Sequence, residues 1–400
     1  MSRIVSMGLI GCGGISSAHV AGLRELYTRG LRVVRVDAVC DIVLENAERR
    51  AGEVELIQGF KPRVYSSLDY MLSREELDAV DICTPHSEHH RAAIACLNAG
   101  ANVMVEKPFG VTVKASKAII EAAKRNNKIV AVAENIRRGL SQRTAYWIIN
   151  ELKMLGEPRL FFAQHASWQD PMEERIWHWR IDRMLSGGGM VMDSGAHFAD
   201  MLRYLYGDPE MIYARVTQFE KWPHRKGDKI VYDEREDSWI AIINFENGLI
   251  CTWSWTIAAP GYSHTNVVHY GSRGCLLDHG DVFHGPFDNA EVIIQDGSKK
   301  IVYPMKVLEK DYLNSLDDER RKRLFPYGIT NGVFIECYDF LEAIEKGRKP
   351  EVDGEEGLKA KAICEAIYES AYLGQPVNYR DVLEGRIEAY QKSINEYFGL

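Results

Sequence analysis

The sequence predicts two domains: an N-terminal α/β domain with a doubly wound parallel sheet over residues 1–134, and an α+β domain with a large, mostly antiparallel open sheet over residues 135–400. The 400 residues, 46% of them hydrophobic, exceed what a single core usually absorbs. Up to residue 133, apolar strand-like runs alternate with helix-like stretches, which is typical of a parallel sheet covered by helices. Beyond residue 159 strand-like segments dominate, and the turn Glu246-Asn247-Gly248 is typical of an antiparallel hairpin.

The first strand, residues 4–10, runs directly into the turn Gly11-Cys12-Gly13-Gly14-Ile15 and then, after Ser16, into a helix. Gly11 permits a tight turn, Gly13 lets the backbone approach a pyrophosphate, and Ser16 holds the third small position. Glycine turns are common by themselves. As the first strand–helix junction of an α/β chain, however, this turn is typical of a dinucleotide-binding site.

The second strand, residues 31–40, ends at Asp41. A carboxylate there can accept hydrogen bonds from both adenosine ribose hydroxyls, and it would repel a 2′-phosphate. Ile42 and Val43 offer no group that would hold such a phosphate. We therefore expect NAD, with NADP less favoured, although Asp41 also suits an N-cap of the following helix.

Two later strands end in polar residues, the third in Thr84-Pro85 and the fourth in Glu106-Lys107-Pro108. Ligands of open α/β sheets bind beyond the carboxyl ends of the strands, so the Glu-Lys pair is expected in the cleft. An ordinary strand-to-helix turn with a surface ion pair is the alternative.

A helix-like segment in the second domain carries Asp193, His197 and Asp200 at positions i, i+4 and i+7, so we expect all three on one face. The glycines at 187–189 precede it and would let a ligand approach the backbone. A core histidine with satisfied hydrogen bonds is the alternative for His197.

Composition excludes several classes of protein. With 49 basic and 57 acidic residues the formal charge is −8, which disfavours nucleic-acid and membrane-surface partners. No apolar run approaches the roughly 20 residues of a membrane span, and the first five residues lead straight into a strand, so we expect no signal peptide. Eight scattered cysteines without a CxxC pair indicate buried thiols of a cytoplasmic protein, with no disulfide framework and no metal site.

Four motifs in this order resemble those of the Gfo/Idh/MocA family of oxidoreductases: Gly11-Cys12-Gly13, Thr84-Pro85 with His89, Glu106-Lys107-Pro108, and Asp193-x-Gly195-x-His197-x-x-Asp200. The resemblance covers roughly the whole chain. It implies an NAD(P)-dependent enzyme acting on a sugar or polyol hydroxyl, with an N-terminal Rossmann domain. It also implies a C-terminal domain whose open sheet often forms dimers or tetramers, and we expect a homodimer or homotetramer.

The resemblance and the motifs together define three sets of candidate residues. The catalytic candidates are Lys107, Asp193 and His197. The cofactor-binding candidates are Gly11, Cys12, Gly13, Gly14, Ile15, Asp41, Thr84, Pro85, His89, Glu106, Lys107, Asn135 and Arg180. The substrate-binding candidates are Lys107, Arg138, Trp168, Trp179, Asp193 and His197. His86 stands where the family more often has Asn, and the aromatic-rich insertion around Trp179 is a further departure, so the substrate stays open.

The residue types suit oxidation of a secondary alcohol. His197 can accept the hydroxyl proton near neutral pH, Lys107 can stabilise the developing alkoxide, and Asp193 can orient the substrate or the histidine. Two other functions remain open. One is glycoside cleavage by transient oxidation and elimination. The other is a non-catalytic NAD-binding regulator, but the presence of Lys107, Asp193 and His197 argues against it.

Overall fold

The computed structural model describes residues 4–400, so the expected absence of a signal peptide, which concerns the first residues, lies partly outside the described chain. The chain forms two compact units. One comprises Met1–Asn135 with Leu324–Leu358, and the other Ile136–Arg323 with Lys359–Leu400.

In chain order, the strands are β1 (Val5–Ile10), β2 (Val34–Cys40), β3 (Arg63–Tyr65), β4 (Ala79–Ile82), β5 (Asn102–Glu106), β6 (Val130–Ala133), β7 (Pro158–Ala166), β8 (Arg175–Ile176), β9 (Pro209–Thr217), β10 (Pro223–Lys226), β11 (Lys229–Tyr232), β12 (Ser238–Phe245), β13 (Ile250–Thr256), β14 (His264–Gly271), β15 (Gly274–Asp278), β16 (Glu291–Asp296), β17 (Lys299–Pro304) and β18 (Val377–Asn378). The α-helices are α1 (Ser16–Thr28), α2 (Leu44–Gln58), α3 (Leu68–Arg74), α4 (His86–Asn98), α5 (Val113–Asn126), α6 (Leu140–Tyr146), α7 (Arg183–Ser186), α8 (Gly195–Tyr206), α9 (Met305–Ser315), α10 (Asp318–Leu324), α11 (Gly332–Lys346), α12 (Gly354–Leu373), α13 (Tyr379–Leu383) and α14 (Lys392–Phe398).

The first unit contains a six-stranded sheet in the order β3-β2-β1-β4-β5-β6. All its strand pairs are parallel, which confirms the doubly wound α/β prediction. The strand order reverses between β1 and β4, and ligands of such sheets bind at this switch point. Because parallel strands end at the same edge, the glycine turn, Asp41, Thr84 and Lys107 all follow carboxyl ends at that edge.

The late segment 324–358 belongs to the first unit, whereas the sequence pattern predicts it in the second domain. Helix α11 packs on α1, and a Cβ atom on Gly22 would lie 3.4 Å from the Sγ atom of Cys337. The backbone N–H of Val132 donates to the carbonyl of Val352 at 2.9 Å. Apolar periodicity identifies α11 as a helix, but it does not say which core receives the buried face.

The second unit contains a nine-stranded sheet in the order β17-β16-β15-β14-β7-β13-β12-β9-β18. Within the described chain β7 and β13 pair in parallel and the other neighbours pair antiparallel, which confirms the mostly antiparallel open sheet. Aromatic rings fill the space between this sheet and α8: Phe198 stacks on Trp253 with ring centroids 4.3 Å apart.

The other face of this sheet, which we call the open face, exposes apolar side chains. Ile242 lies between Tyr213 and Thr252, and Leu160 lies between Ile250 and Tyr270. The exposed members include Leu160, Tyr213, Ile240, Ile242, Ile250, Tyr270 and Val302, with Ile240 62% exposed. A contiguous apolar surface of this kind is typical of a surface that another protein covers.

All eight cysteines are free thiols. Six of them are buried, as the sequence predicts, whereas Cys275 and Cys337 are half-buried. In residues 4–400, no helix combines the length and the apolar character needed to cross a membrane.

We expect a second copy of the chain to cover the open face, because an isologous contact buries the same apolar patch twice. Replacing Ile240 and Ile242 by Lys together should convert an oligomer into monomers, as measured by light scattering at micromolar concentration. The control is Ile301→Lys, because Ile301 is also exposed but lies on the opposite face of the sheet. A wild-type protein that is already monomeric would contradict this expectation.

Candidate active site

The glycine turn after β1 has the geometry that a dinucleotide requires. Gly11 has φ +83°, and a Cβ atom there would lie 2.6 Å from the carbonyl oxygen of Cys83. A Cβ on Gly13 or Gly14 would meet nothing within 4 Å, so the backbone of the turn faces open space. Helix α1 then begins at Ser16, and a helix N-terminus favours a phosphate.

Asp41 already holds the turn in place. One carboxylate oxygen accepts from the backbone N–H of Cys12 at 2.7 Å, and the other accepts from Val43 at 2.8 Å. The sequence pattern did not predict Arg49 here; its guanidinium donates to the Cys12 carbonyl at 3.2 Å because α2 brings it to the turn. A cation therefore lies near the same turn as the carboxylate.

The ends of β4 and β5 are joined through His89. Its two ring nitrogens lie 3.0 Å from the carbonyl oxygens of Thr84 and Pro108, and burial lowers its pKa to about 3. The neutral ring can donate to only one of these carbonyls, but it lies between the two turns and both of its nitrogens face the protein instead of a ligand. The hydroxyl of Thr84 is buried with no hydrogen-bond partner among residues 4–400, so it is a polar atom that a bound cofactor could satisfy.

His19 is a second residue that the sequence pattern did not predict. Its Nδ1 lies 2.7 Å from Asp81 and its Nε2 lies 3.0 Å from Glu106, while the other Glu106 oxygen accepts from the backbone N–H of Lys107 at 3.0 Å. The residue is only 4% exposed. Burial by itself would lower the pKa of His19, but the Asp81 carboxylate raises it well above 6.5, so both nitrogens donate. The available signal was Asp81, a charge inside an otherwise apolar buried strand.

His19, Asp81 and Cys83 also offer possible metal ligands within 4.8 Å of one another. Both nitrogens of His19 already face carboxylates, and burial raises the pKa of the Cys83 thiol, which opposes the thiolate that a metal needs. The arrangement therefore favours a buried imidazolium bridge.

In the second unit, Asp193 lies in the turn before α8, which begins at Gly195. The expectation that Asp193, His197 and Asp200 share one helical face is therefore wrong for Asp193. Its carboxylate accepts from Arg180 at 2.8 Å, whereas Asp200 accepts from the Nε of Arg137 at 2.6 Å. Asp193 and Asp200 thus accept hydrogen bonds from different arginines. His197 lies in the first turn of α8 and is 7% exposed.

The glycine run 187–189 is filled by the protein itself, which corrects the expectation that it leaves room for a ligand. A Cβ on Gly188 would overlap the ring of Tyr368, and one on Gly189 would overlap the carboxylate of Glu236. The same carboxylate accepts backbone N–H groups of Gly189 at 3.1 Å and Val191 at 3.0 Å. Close packing against these two side chains requires the glycines, and it fixes the segment that leads to Asp193.

The remaining candidates differ in how much surface they offer. Trp168 is 40% exposed, whereas Arg138 is 1% exposed and gives a ligand almost no area. Trp179 is half-buried beneath the guanidinium of Arg180, which lies 4.4 Å from the ring centroid. Asn135, also half-buried, follows β6 in the first unit.

Two family models match the chain. The oxidoreductase family model for an NAD-binding Rossmann fold matches residues 5–134, and the model for the C-terminal alpha/beta domain matches residues 151–379. The chain belongs to the Gfo/Idh/MocA oxidoreductase family. Membership confirms the resemblance drawn from the motifs and identifies the first unit as an NAD-binding domain.

Named relatives of this Gfo/Idh/MocA protein act on carbohydrates. It is 22% identical over 368 residues to 1,5-anhydro-D-fructose reductase of Ensifer adhaerens, covering 92% of this chain and 96% of the relative. It is 27% identical over 219 residues to D-glucoside 3-dehydrogenase of Escherichia coli, covering 53% and 59%. The structure of levoglucosan dehydrogenase in complex with NADH and levoglucosan has a TM-score of 0.73 at 24% identity, covering 94% of this chain and 100% of that one.

Replacing His19 by Gln should lower the free energy of unfolding by about 3 kcal/mol or more, because two buried carboxylates lose their cation. Because the pKa of His19 is raised in the folded protein, this stabilisation depends on pH. The stabilisation is complete below about pH 6.5 and is lost as the pH rises through the pKa of the folded state. Urea unfolding at about pH 6 and at about pH 9 measures the difference between wild type and variant, which should shrink at the higher pH.

The control is His90→Gln in the same unit. Burial lowers the pKa of His90 to about 4, so its stabilising effect should instead be lost as the pH falls below about 6.5. A His19 variant with the same pH trend as the His90 variant would show that His19 is neutral in the folded protein.

Proposed function

We propose that this enzyme transfers a hydride between NAD and a secondary hydroxyl of a sugar, polyol or glycoside, with Lys107 and His197 acting on that hydroxyl. The observation that carries the proposal is the position of Lys107 at the carboxyl end of β5, where Glu106 fixes its backbone at the edge that carries the glycine turn. The carbohydrate names of the relatives support the substrate class.

The residues of the first unit fit a dinucleotide. Gly13 and Gly14 leave the turn open, the Thr84 hydroxyl lacks a partner within the described chain, and Asp41 stands at the end of β2. Bound NAD supplies the acceptor for the hydride. A ring nitrogen of His197 takes the proton as the O–H bond breaks, and the Lys107 ammonium stabilises the alkoxide charge.

The sequence pattern identifies Asp193 as a catalytic candidate, but in this proposal it positions the substrate. Because its carboxylate pairs with Arg180, which also stacks on Trp179, we assign the pair to holding the substrate side of the site. We keep Asp193 in the site as a positioning group and give the proton transfer to His197.

Replacing Lys107 or His197 by Ala should each lower kcat by roughly 10² or more, the scale for losing a positioned electrostatic or acid–base group. The loss in the double variant should fall well short of the product of the single losses, because groups that act as a unit are non-additive. NAD affinity should change little. NADH formation with a panel of sugars, polyols and glycosides measures these rates.

The matched controls are Lys114→Ala and His264→Ala, which remove an exposed lysine and an exposed histidine. Both should leave kcat within about twofold. Near-normal turnover in either single active-site variant would show that the active site lies elsewhere.

We further propose that NAD binds at least about tenfold more tightly than NADP, about 1.4 kcal/mol, because Asp41 repels a 2′-phosphate. Asp41→Asn keeps an oxygen for the Cys12 amide but removes the charge, so it should reduce this preference. Arg49 beside the turn should then help to hold the phosphate. Fluorescence titration of both cofactors measures the ratio.

The control is Glu45→Gln, which removes an exposed charge from the first turn of α2. If the ratio of affinities is near one in the wild type, or does not change in Asp41→Asn, Asp41 does not select the cofactor.

A further inference from the structure

A second histidine, His284, lies beside His197, and the proposed hydride transfer assigns it no role. The ring centroids of His197 and His284 are 5.2 Å apart, with the planes inclined by 50°. The side chain of His284 is 33% exposed, so it remains accessible while His197 is buried. Oxidation of an alcohol requires one base for the hydroxyl proton, and that base is His197 in the proposed function. The imidazole of His284 is therefore available for a different proton transfer.

Asp281 orients this second histidine. Its carboxylate oxygens lie 2.9 Å and 3.1 Å from Nδ1 of His284. Burial by itself would raise the pKa of Asp281, but the hydrogen bond and charge of His284 and two backbone N–H groups lower it. An ionised carboxylate at Nδ1 keeps the proton on that nitrogen and leaves Nε2 as the basic one.

The loop that carries His284 is held from several sides. The amide nitrogen of Gln142 donates to the carbonyls of His284 at 3.1 Å and Pro286 at 2.9 Å. Asp278 accepts from the backbone N–H of Gly280 at 3.1 Å, and a Cβ on Gly285 would overlap the Asp278 carboxylate. The position of His284 relative to His197 is thus built into the loop.

We infer that His284, oriented by Asp281, is a second proton-transfer group of this site and removes a proton from the carbon next to the newly formed carbonyl. The inference rests on the proposed function, because only the oxidised carbohydrate has such an acidic C–H bond. It deepens that function by assigning two bases to two different protons, one on oxygen and one on carbon.

The step balances without another reagent. The C–H bond breaks, its proton moves to Nε2 of His284, and its electron pair forms a carbon–carbon double bond while the carbonyl electrons move to oxygen. Return of a solvent proton to the same carbon reverses the step. In a glycoside whose glycosidic oxygen is attached to the next carbon, the same electron pair can instead form a double bond conjugated to the carbonyl while the C–O bond breaks. The departing oxygen takes a proton from solvent and leaves as an alcohol, which is the elimination route.

Hydrogen exchange with solvent tests the inference. The wild-type enzyme is incubated in heavy water with NAD and each of three probes: D-glucose, myo-inositol and methyl β-D-glucoside. NADH formation reports hydride transfer. Deuterium at the carbons next to the oxidised one, in the carbonyl product or in probe re-formed from it by reduction, reports deprotonation by NMR. We expect exchange with any probe that gives NADH.

In His284→Asn the ratio of exchange to NADH formation should fall by about 10² or more, the usual contribution of a general base. Asp281→Asn keeps an oxygen for the backbone N–H groups of the loop and should lower the ratio by about tenfold. The control is His279→Gln, because His279 lies on the same stretch, with a side chain 47% exposed, and should keep the ratio within about twofold.

The outcomes separate the two proposals. NADH formation without exchange in the wild type, or an unchanged ratio in His284→Asn, overturns this inference and leaves the proposed function intact. No NADH formation with any of the three probes counts against the proposed function, and this inference falls with it.

Discussion

The buried imidazolium of His19 lies between Asp81 and Glu106. The carboxyl edge of the parallel sheet, which carries the glycine turn, Thr84 and Lys107, depends on this interaction. It joins three elements: α1, which begins at the glycine turn, β4, which leads to Thr84, and β5, which leads to Lys107. Burying one cation between two carboxylates is stabilising only when every charge has a partner. Loss of the imidazolium would therefore disturb all three ends together.

Carboxylates also fix two loops of the second unit, where Glu236 is half-buried and the side chain of Asp281 is 50% exposed. Glu236 accepts backbone N–H groups of the glycine run that leads to Asp193 and His197, and Asp281 accepts those of the loop that carries His284. Catalytic groups need positions accurate to a fraction of an ångström, and loops supply that accuracy only when their backbone groups are satisfied. Glu236 and Asp281 therefore fix the segments that lead to the proposed catalytic histidines.

Much of the fold could be predicted because its signals are local. Apolar runs and turns in the sequence indicate most strands of the two larger sheets. Short or polar strands such as β3 and β10 were missed because too few residues show a period. Long-range pairings were beyond reach: His19 with Glu106, Arg49 with the glycine turn, and α11 with α1 each join residues far apart in sequence. The helical spacing of Asp193 and His197 failed because α8 starts two residues after Asp193.

The central claim is that a carbohydrate hydroxyl loses hydride to NAD at a site served by His197 and Lys107. The most direct measurement uses a sugar that carries deuterium on the carbon to be oxidised, with NAD present in stoichiometric amount. We predict that deuterium appears on the nicotinamide ring of the reduced cofactor, and that His197→Ala slows this transfer while NAD still binds. A cofactor that stays oxidised with every carbohydrate offered, or a His197 variant that transfers deuterium at the wild-type rate, would contradict the claim.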